Sequence, residues 1–219
     1  EQQLTLVARY LGLVAREAIR EFTALLADER DRQVRARMCQ VLAKVGPSIV
    51  PTLVEWLGDP RWFLVRNLVH VLGKIGDEAA FAPVVTLLGH SHLRVRIEAV
   101  RALALIAPAR AAAPILPLSR DVDPEVRLEA VRALGALRRD EAVPVLRDVA
   151  AGAAGMADVT LRQEAVDALA AIGSAGSCEA LASLARRHVW PWKRTERRLR
   201  EIAAAALAAR TDDEGAPGE

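Results

Sequence analysis

The chain has 219 residues, is 52% hydrophobic but only 4% aromatic, and carries a formal net charge of +2. Such a chain can bury an ordinary core, and so small a net charge does not by itself imply a nucleic-acid partner. No run of 18 apolar residues free of charge is present, which excludes a membrane-spanning helix.

In chain order, residues 2–27 read as an incomplete first repeat, with Leu4, Val7, Ala8, Leu11 and Val14 on one stripe and Ala18, Phe22, Leu25 and Leu26 on another. A second unit spans 31–57. Asp31 is its helix cap, Val34, Met38, Val41 and Leu42 its inward face, and Gly46-Pro47 the break before a return helix. The third unit, 60–89, turns at Gly76-Asp77, where glycine accepts the left-handed conformation of a helix end. The fourth, 91–119, carries Pro114 and Pro117 in its second half, which predicts a short, distorted helix. The fifth, 122–150, opens with Asp123-Pro124-Glu125, a cap, a first-turn proline and a first-turn acid in succession. The sixth, 157–187, follows the Gly-rich segment 151–155 and starts at Asp158. A closing helix is expected over 195–209, and the acidic tail 211–219 reads as disordered. The whole is expected to form a single domain over 1–210. The chain starts at Glu1 with helical pattern at once, and reads as a piece of a longer protein.

These units share a register. Val34-Arg35, Val65-Arg66, Val95-Arg96, Val126-Arg127, Leu161-Arg162 and Leu199-Arg200 recur at steps of 31, 30, 31, 35 and 38 residues. Apolar residues four, seven and eight positions after each Val or Leu complete one buried helical stripe. A period near 30 with two helices per unit is the signature of a helical repeat array.

The stretch Asp123-Pro-Glu-Val-Arg-Leu-Glu-Ala-Val-Arg-Ala-Leu-Gly135, together with Leu72-Gly-Lys-Ile-Gly-Asp77, resembles the bacterial HEAT-like repeats of the phycobilisome-lyase type. The resemblance covers about residues 30–209. It implies an all-α fold: a right-handed α-solenoid of about six helix pairs plus a final capping helix. First helices would lie on the convex face and second helices on the concave face.

Each repeated arginine (Arg35, Arg66, Arg96, Arg127, Arg162 and Arg200) sits beside a buried apolar residue in a first helical turn. The expected role is a structural ladder. The stem covers apolar surface while the head meets carboxylates or carbonyls of the adjacent repeat.

Chemistry is hard to place. His70, His90, His92 and His188 form no metal-binding spacing with one another or with cysteine. No phosphate loop or nucleophile elbow appears. His90-Ser-His92 is expected to be exposed or to cap a helix. Cys39 and Cys178 read as buried free thiols suited to a reducing cytoplasm. No cofactor or metal is therefore expected.

Two aromatic-basic clusters remain. Trp56, Arg61, Trp62 and Phe63 surround the junction of units two and three. Arg186, Arg187, Trp190, Trp192, Lys193, Arg194, Arg197 and Arg198 interrupt the repeat near the end. The leading expectation is a non-enzymatic, cytoplasmic scaffold that binds a protein segment or an adjacent domain along the second helices. Thr52, Glu55, Trp56, Thr86, Arg147, Asp148 and Ser183 are its candidate groove residues. The alternative is nucleic-acid binding through 186–200; a bilin-lyase-like enzyme is the third reading.

Overall fold

A computed structural model describes residues 2–152, 158–186 and 194–214, with side chains placed over 15–152, 158–186 and 195–209. The chain divides into two compact units, Glu1–Ala107 and Pro108–Glu219, where the sequence suggested one array.

In the first unit the helices are α1 (Gln2–Asp28), α2 (Arg32–Val45), α3 (Val50–Glu55), α4 (Trp62–Ile75), α5 (Phe81–Thr86) and α6 (Leu93–Ile106). Residues 2–28 form one helix rather than a pair, because nothing between them but Gly12 interrupts the helical pattern. Asp31 caps α2 by accepting from the amides of Gln33 at 2.6 Å and Val34 at 3.1 Å. Gly76 ends α4 in the left-handed region at φ 72°. Leu64, Val65, Leu68 and Leu72 of α4 are fully buried, as are Val95, Ala99 and Leu103 of α6. Each large apolar side chain so buried contributes roughly 1.5–3 kcal/mol.

Helices α4 and α6 approach closely because Gly73 lacks a side chain. A Cβ there would stand 3.0 Å from Cα and Cβ of Ala102. At the same turn α2 carries Leu42-Ala43-Lys44, with no glycine, and a gap opens between α2 and α4. Of the expected α2 stripe only Leu42 is buried; Met38 is half-buried, and Val34 and Val41 are 39% and 51% exposed. Their counterparts Val65 and Leu72 of α4 are fully enclosed. The difference is positional, since α2 begins the row of repeated first helices.

The second unit holds α7 (Ala112–Ile115), α8 (Pro124–Leu137), α9 (Val143–Ala150), α10 (Val159–Ile172), α11 (Ala175–Arg186) and α12 (Arg194–Glu214). Pro114 and Pro117 reduce the first return helix to four residues followed by a 3-10 stretch over Leu116–Arg120. Asp123 and Asp158 cap α8 and α10 through their side chains. Gly135 of α8 lies against Ala168 of α10 as Gly73 does against Ala102. Helix α12 runs five residues past its expected end at 209, because the first helix breakers are Gly215 and Pro217.

A basic cleft between the first helices

The repeated arginines show how the local fold uses charge. In Arg35, Arg96 and Arg127, Nη1 donates to the two carbonyls six and five residues earlier, at distances between 2.7 and 3.3 Å. Each head thus satisfies orphan carbonyls of the loop that leads into its own helix. Arg162, after a longer connection, donates from Nε to the carbonyl of Ala150 at 3.0 Å and clasps Glu196. Arg200 is half-buried beside them.

Arg66 departs from this pattern. The loop before α4 is held instead by Arg61, whose Nε and Nη2 each donate to Asp59 at 2.9 Å, with Asp28 a further 3.3 Å partner. That bidentate bond and the neighbouring charges hold Asp59 below its ordinary range and Arg61 above its own. Arg66 turns sideways. Its Nη1 donates to Asn67 at 3.0 Å, and its Nε stands 3.5 Å from Glu98 on α6.

The gap between α2 and α4 is a cleft of about 1000 Å³. Arg32, Arg35, Lys44, Arg66, Lys74 and Arg94 bring positive charge to it, and among the described residues no Asp or Glu lines it. Gln40 and Asn67 add polar groups; Trp62 and Phe63 form an apolar rim. Trp62 is fixed from below. Its ring stacks on His92 at a centroid separation of 3.7 Å and 4° between planes, and meets Phe63 edge-on at 6.2 Å. His92 in turn caps α6, with Nδ1 accepting from the amide of Arg94 at 3.2 Å. His90 Nδ1 accepts from the amide of His92 at 2.9 Å. The His90-Ser-His92 pair is thus a capping device, and burial beside His90, Arg94 and Arg96 pushes the His92 imidazole below its usual range.

His70 also lines the cleft, and its Nδ1 donates to the Glu98 carboxylate at 2.7 Å. Burial alone would raise the Glu98 carboxyl. The His70 hydrogen bond and the charges of Arg66, His70 and Arg101 outweigh it and hold Glu98 below the ordinary glutamate range. Cys39 also lines the cleft; burial raises its thiol, opposed by the nearby charges of Arg66 and Arg35. Both cysteines are free; Cys39 is buried and Cys178 half-buried.

The expected groove residues behave differently. Thr52 is buried at 4% exposure, because its helix packs that face inward. Glu55 is taken by Arg20 at 2.6 Å. Trp56 is half-buried; Thr86 and Ser183 are exposed, the Thr86 hydroxyl donating to the carbonyl of Pro83 at 2.7 Å. Arg147 and Asp148 pair with each other at 3.4 Å. In the first unit a cleft lies on the first helices. Of the late basic cluster, Arg186, Arg197 and Arg198 are exposed. Arg187, Trp190, Trp192, Lys193 and the side chain of Arg194 lie outside the described residues.

The sequence reading missed Arg32, Lys44, Lys74 and Arg94. A signal was present: neither α2 nor α4 contains a single Asp or Glu, whereas α6, α8 and α10 each do.

This arrangement of helix pairs is that of a HEAT-repeat α-solenoid. The chain belongs to the HEAT-repeat family, whose profile matches residues 19–104, 82–155 and 118–208. Among solved structures it is similar to a designed armadillo repeat protein in complex with the peptide (KR)4, at 20% identity and a TM-score of 0.52, covering 84% of this chain and 98% of that one. It is also similar to the CpcE–CpcF complex of phycocyanin lyase from Nostoc sp., at 23% identity and a TM-score of 0.44, covering 87% and 83%. A third is human deoxyhypusine hydroxylase, at 17% identity and a TM-score of 0.37, covering 90% and 98%. No curated protein matches the chain. No helix among the described residues is long and apolar enough to cross a membrane.

Proposed function

We propose that this HEAT-repeat protein is a non-enzymatic scaffold that holds an acidic polypeptide segment in the cleft between α2 and α4. The observation that carries this reading is the lining itself: cations from three helices and, among the described residues, no acid. Confining like charges in a concave site raises the local potential and draws in a segment of opposite sign. Trp62, pinned by its stack on His92, offers a rigid aromatic surface of the kind that anchors interfaces. The designed armadillo relative holds a basic peptide; the cleft here selects the opposite charge. The segment belongs to a partner protein or an adjacent domain, and the free thiols suit a reducing cytoplasm.

Nucleic acid is the less favoured ligand. It needs a long basic track, and the corresponding junction in the second unit is neutralised, with Arg132 of α8 bonded to Glu164 of α10. Fluorescence anisotropy with labelled octaglutamate and octalysine tests the proposal. Binding of the first only, abolished by Arg32→Glu with Lys44→Glu and Lys74→Glu, is expected. Equal binding of both peptides, or binding indifferent to these changes, would sink the reading.

A further inference from the structure

We infer that the segment seated in the α2–α4 cleft carries a phosphoserine or phosphothreonine, held between Arg32 and Arg35 of α2 and Arg66 of α4. This rests on the cleft being the binding site.

The cleft holds unpaired charge. Several cations outside the cleft meet acids: Arg20 with Glu55, Arg61 with Asp59, Arg162 with Glu196. Arg32, Lys44 and Lys74 make no hydrogen bond or ion pair with another described residue, and all three line the cleft. Arg35 spends Nη1 on two carbonyls, and Arg66 stands a long 3.5 Å from Glu98. Glu98, buried beneath α4, already balances His70 and Arg66. Arg32, Lys44 and Lys74 thus have no counter-charge among the described residues.

Geometry then limits what can supply it. From Arg32 to Lys44 the cleft follows α2 for about 18 Å at 1.5 Å per residue. An extended chain crosses that distance in about five or six residues at roughly 3.3 Å each. Matching the cations with carboxylates alone needs an acid at nearly every position. One phosphate brings a charge of about −1.5 to −2 and three strong acceptor oxygens on a single residue.

The side chains suit that acceptor. Arg32 and Arg35 are one helical turn apart and face the same way, a repulsive pair unless an anion bridges them. Arg66 comes from the opposite wall, and Arg35, Cys39 and Arg66 all line the same cleft. Planar guanidinium forks bind phosphate bidentately. Lys44 and Lys74, in the last turns of their helices, are point charges suited to flanking carboxylates. Trp62 and Phe63, in the first turn of α4, take an apolar neighbour of the phosphoresidue.

The test presents the immobilised full chain with three degenerate heptapeptide libraries whose fixed central residue is phosphoserine, glutamate or serine. At least tenfold higher retention of the phosphoserine library than of the glutamate library is expected. Arg32→Glu should abolish that preference in a protein of unchanged circular dichroism, while Arg198→Glu on α12 should leave it. Equal retention of the phosphoserine and glutamate libraries overturns the phosphate assignment and leaves the acidic-segment scaffold standing. Retention of neither above the serine library overturns both. Displacement of bound phosphopeptide by a short oligothymidylate at lower concentration than by the phosphopeptide itself makes nucleic acid the source of the phosphate, and overturns the inference.

Discussion

Arg162 of α10 and Glu196 of α12 meet in a two-point ion pair, Nη1 donating to Oε1 at 2.6 Å and Nη2 to Oε2 at 2.8 Å. The guanidinium is 7% exposed and the carboxylate 33%. This pair joins the last helix to the repeat before it. The two partners should be unequal under mutation. Glu196→Ala strands a buried guanidinium, and an uncompensated buried charge costs up to about 3–5 kcal/mol; partial exposure of the site reduces this to about 2 kcal/mol. Arg162→Met leaves a carboxylate that water can reach, and should cost about 1 kcal/mol. Urea denaturation measures both, and hydrogen exchange should show α12 amides opening first in Glu196→Ala.

The contact between His92 and Trp62 predicts a pH response. The folded protein holds the His92 imidazole below its unfolded value, so the unfolded chain takes up the proton first as pH falls. The stabilisation is complete above the unfolded value, about 6.5, and is lost as pH drops from there through the lower folded value. Protonation removes the Nδ1 acceptor that caps α6 and charges a ring beside His90, Arg94 and Arg96. His92→Asn keeps a cap acceptor without the titration. Its melting temperature should fall less than that of the parent between pH 7 and pH 5, as read by differential scanning calorimetry.

Glu98 titrates in the same direction at lower pH. Its folded value lies below the ordinary glutamate range, so it stabilises the fold above the unfolded value and loses that contribution as pH falls through the folded one. Glu98→Gln should flatten the acid limb of the stability profile. The same substitution removes the charge that orders His70 and Arg66. An acid limb unchanged from the parent below pH 5 would refute the assignment.

How legible was this in the sequence? The repeat register was, because Val95, Val126 and Leu161 must face a core at a fixed helical phase, and all three are buried. The helix caps at Asp31, Asp123 and Asp158 were legible for the same local reason. The cleft was not. It depends on the spacing between two helices, set by Gly73 at one junction and by Leu42-Ala43-Lys44 at the other, and no periodicity reports such a distance. The exposure of Val34 and Val41 was hidden too, since their phase on α2 matches that of buried Val65 and Leu72. Only the position of α2 in the row differs.

The two close helix crossings should differ in tolerance. A Cβ on Gly135 would lie 2.7 Å from Ala168 Cβ and 2.9 Å from its Cα, closer than real contacts permit. On Gly73 the corresponding distances to Ala102 are both 3.0 Å. Glycine to alanine gains up to about 1 kcal/mol in helix propensity, while overpacking costs about 1–3 kcal/mol. Gly135→Ala should destabilise by about 2 kcal/mol because backbone must shift, and Gly73→Ala by about 1 kcal/mol. Chemical denaturation ranks them; Gly73→Ala being the worse would show that the α4–α6 crossing is the stiffer one.

Arg138 ends α8 at φ 52° and ψ 43°, in the left-handed region, where Gly76 and Gly173 end α4 and α10. A side chain in that conformation costs roughly 1–2 kcal/mol, which glycine avoids. Glycine also gives up more freedom on folding, by roughly 0.5–1 kcal/mol. Arg138 is exposed, so its side chain gives up little packing when removed. Arg138→Gly should therefore stabilise the second unit by about 0.5–1 kcal/mol, because the strain relieved exceeds the entropy lost. Arg138→Asn, which tolerates the same region through its short polar side chain, should fall between the two. A lowered melting temperature in Arg138→Gly would mean that the Arg138 side chain stabilises the end of α8 by more than its backbone conformation costs.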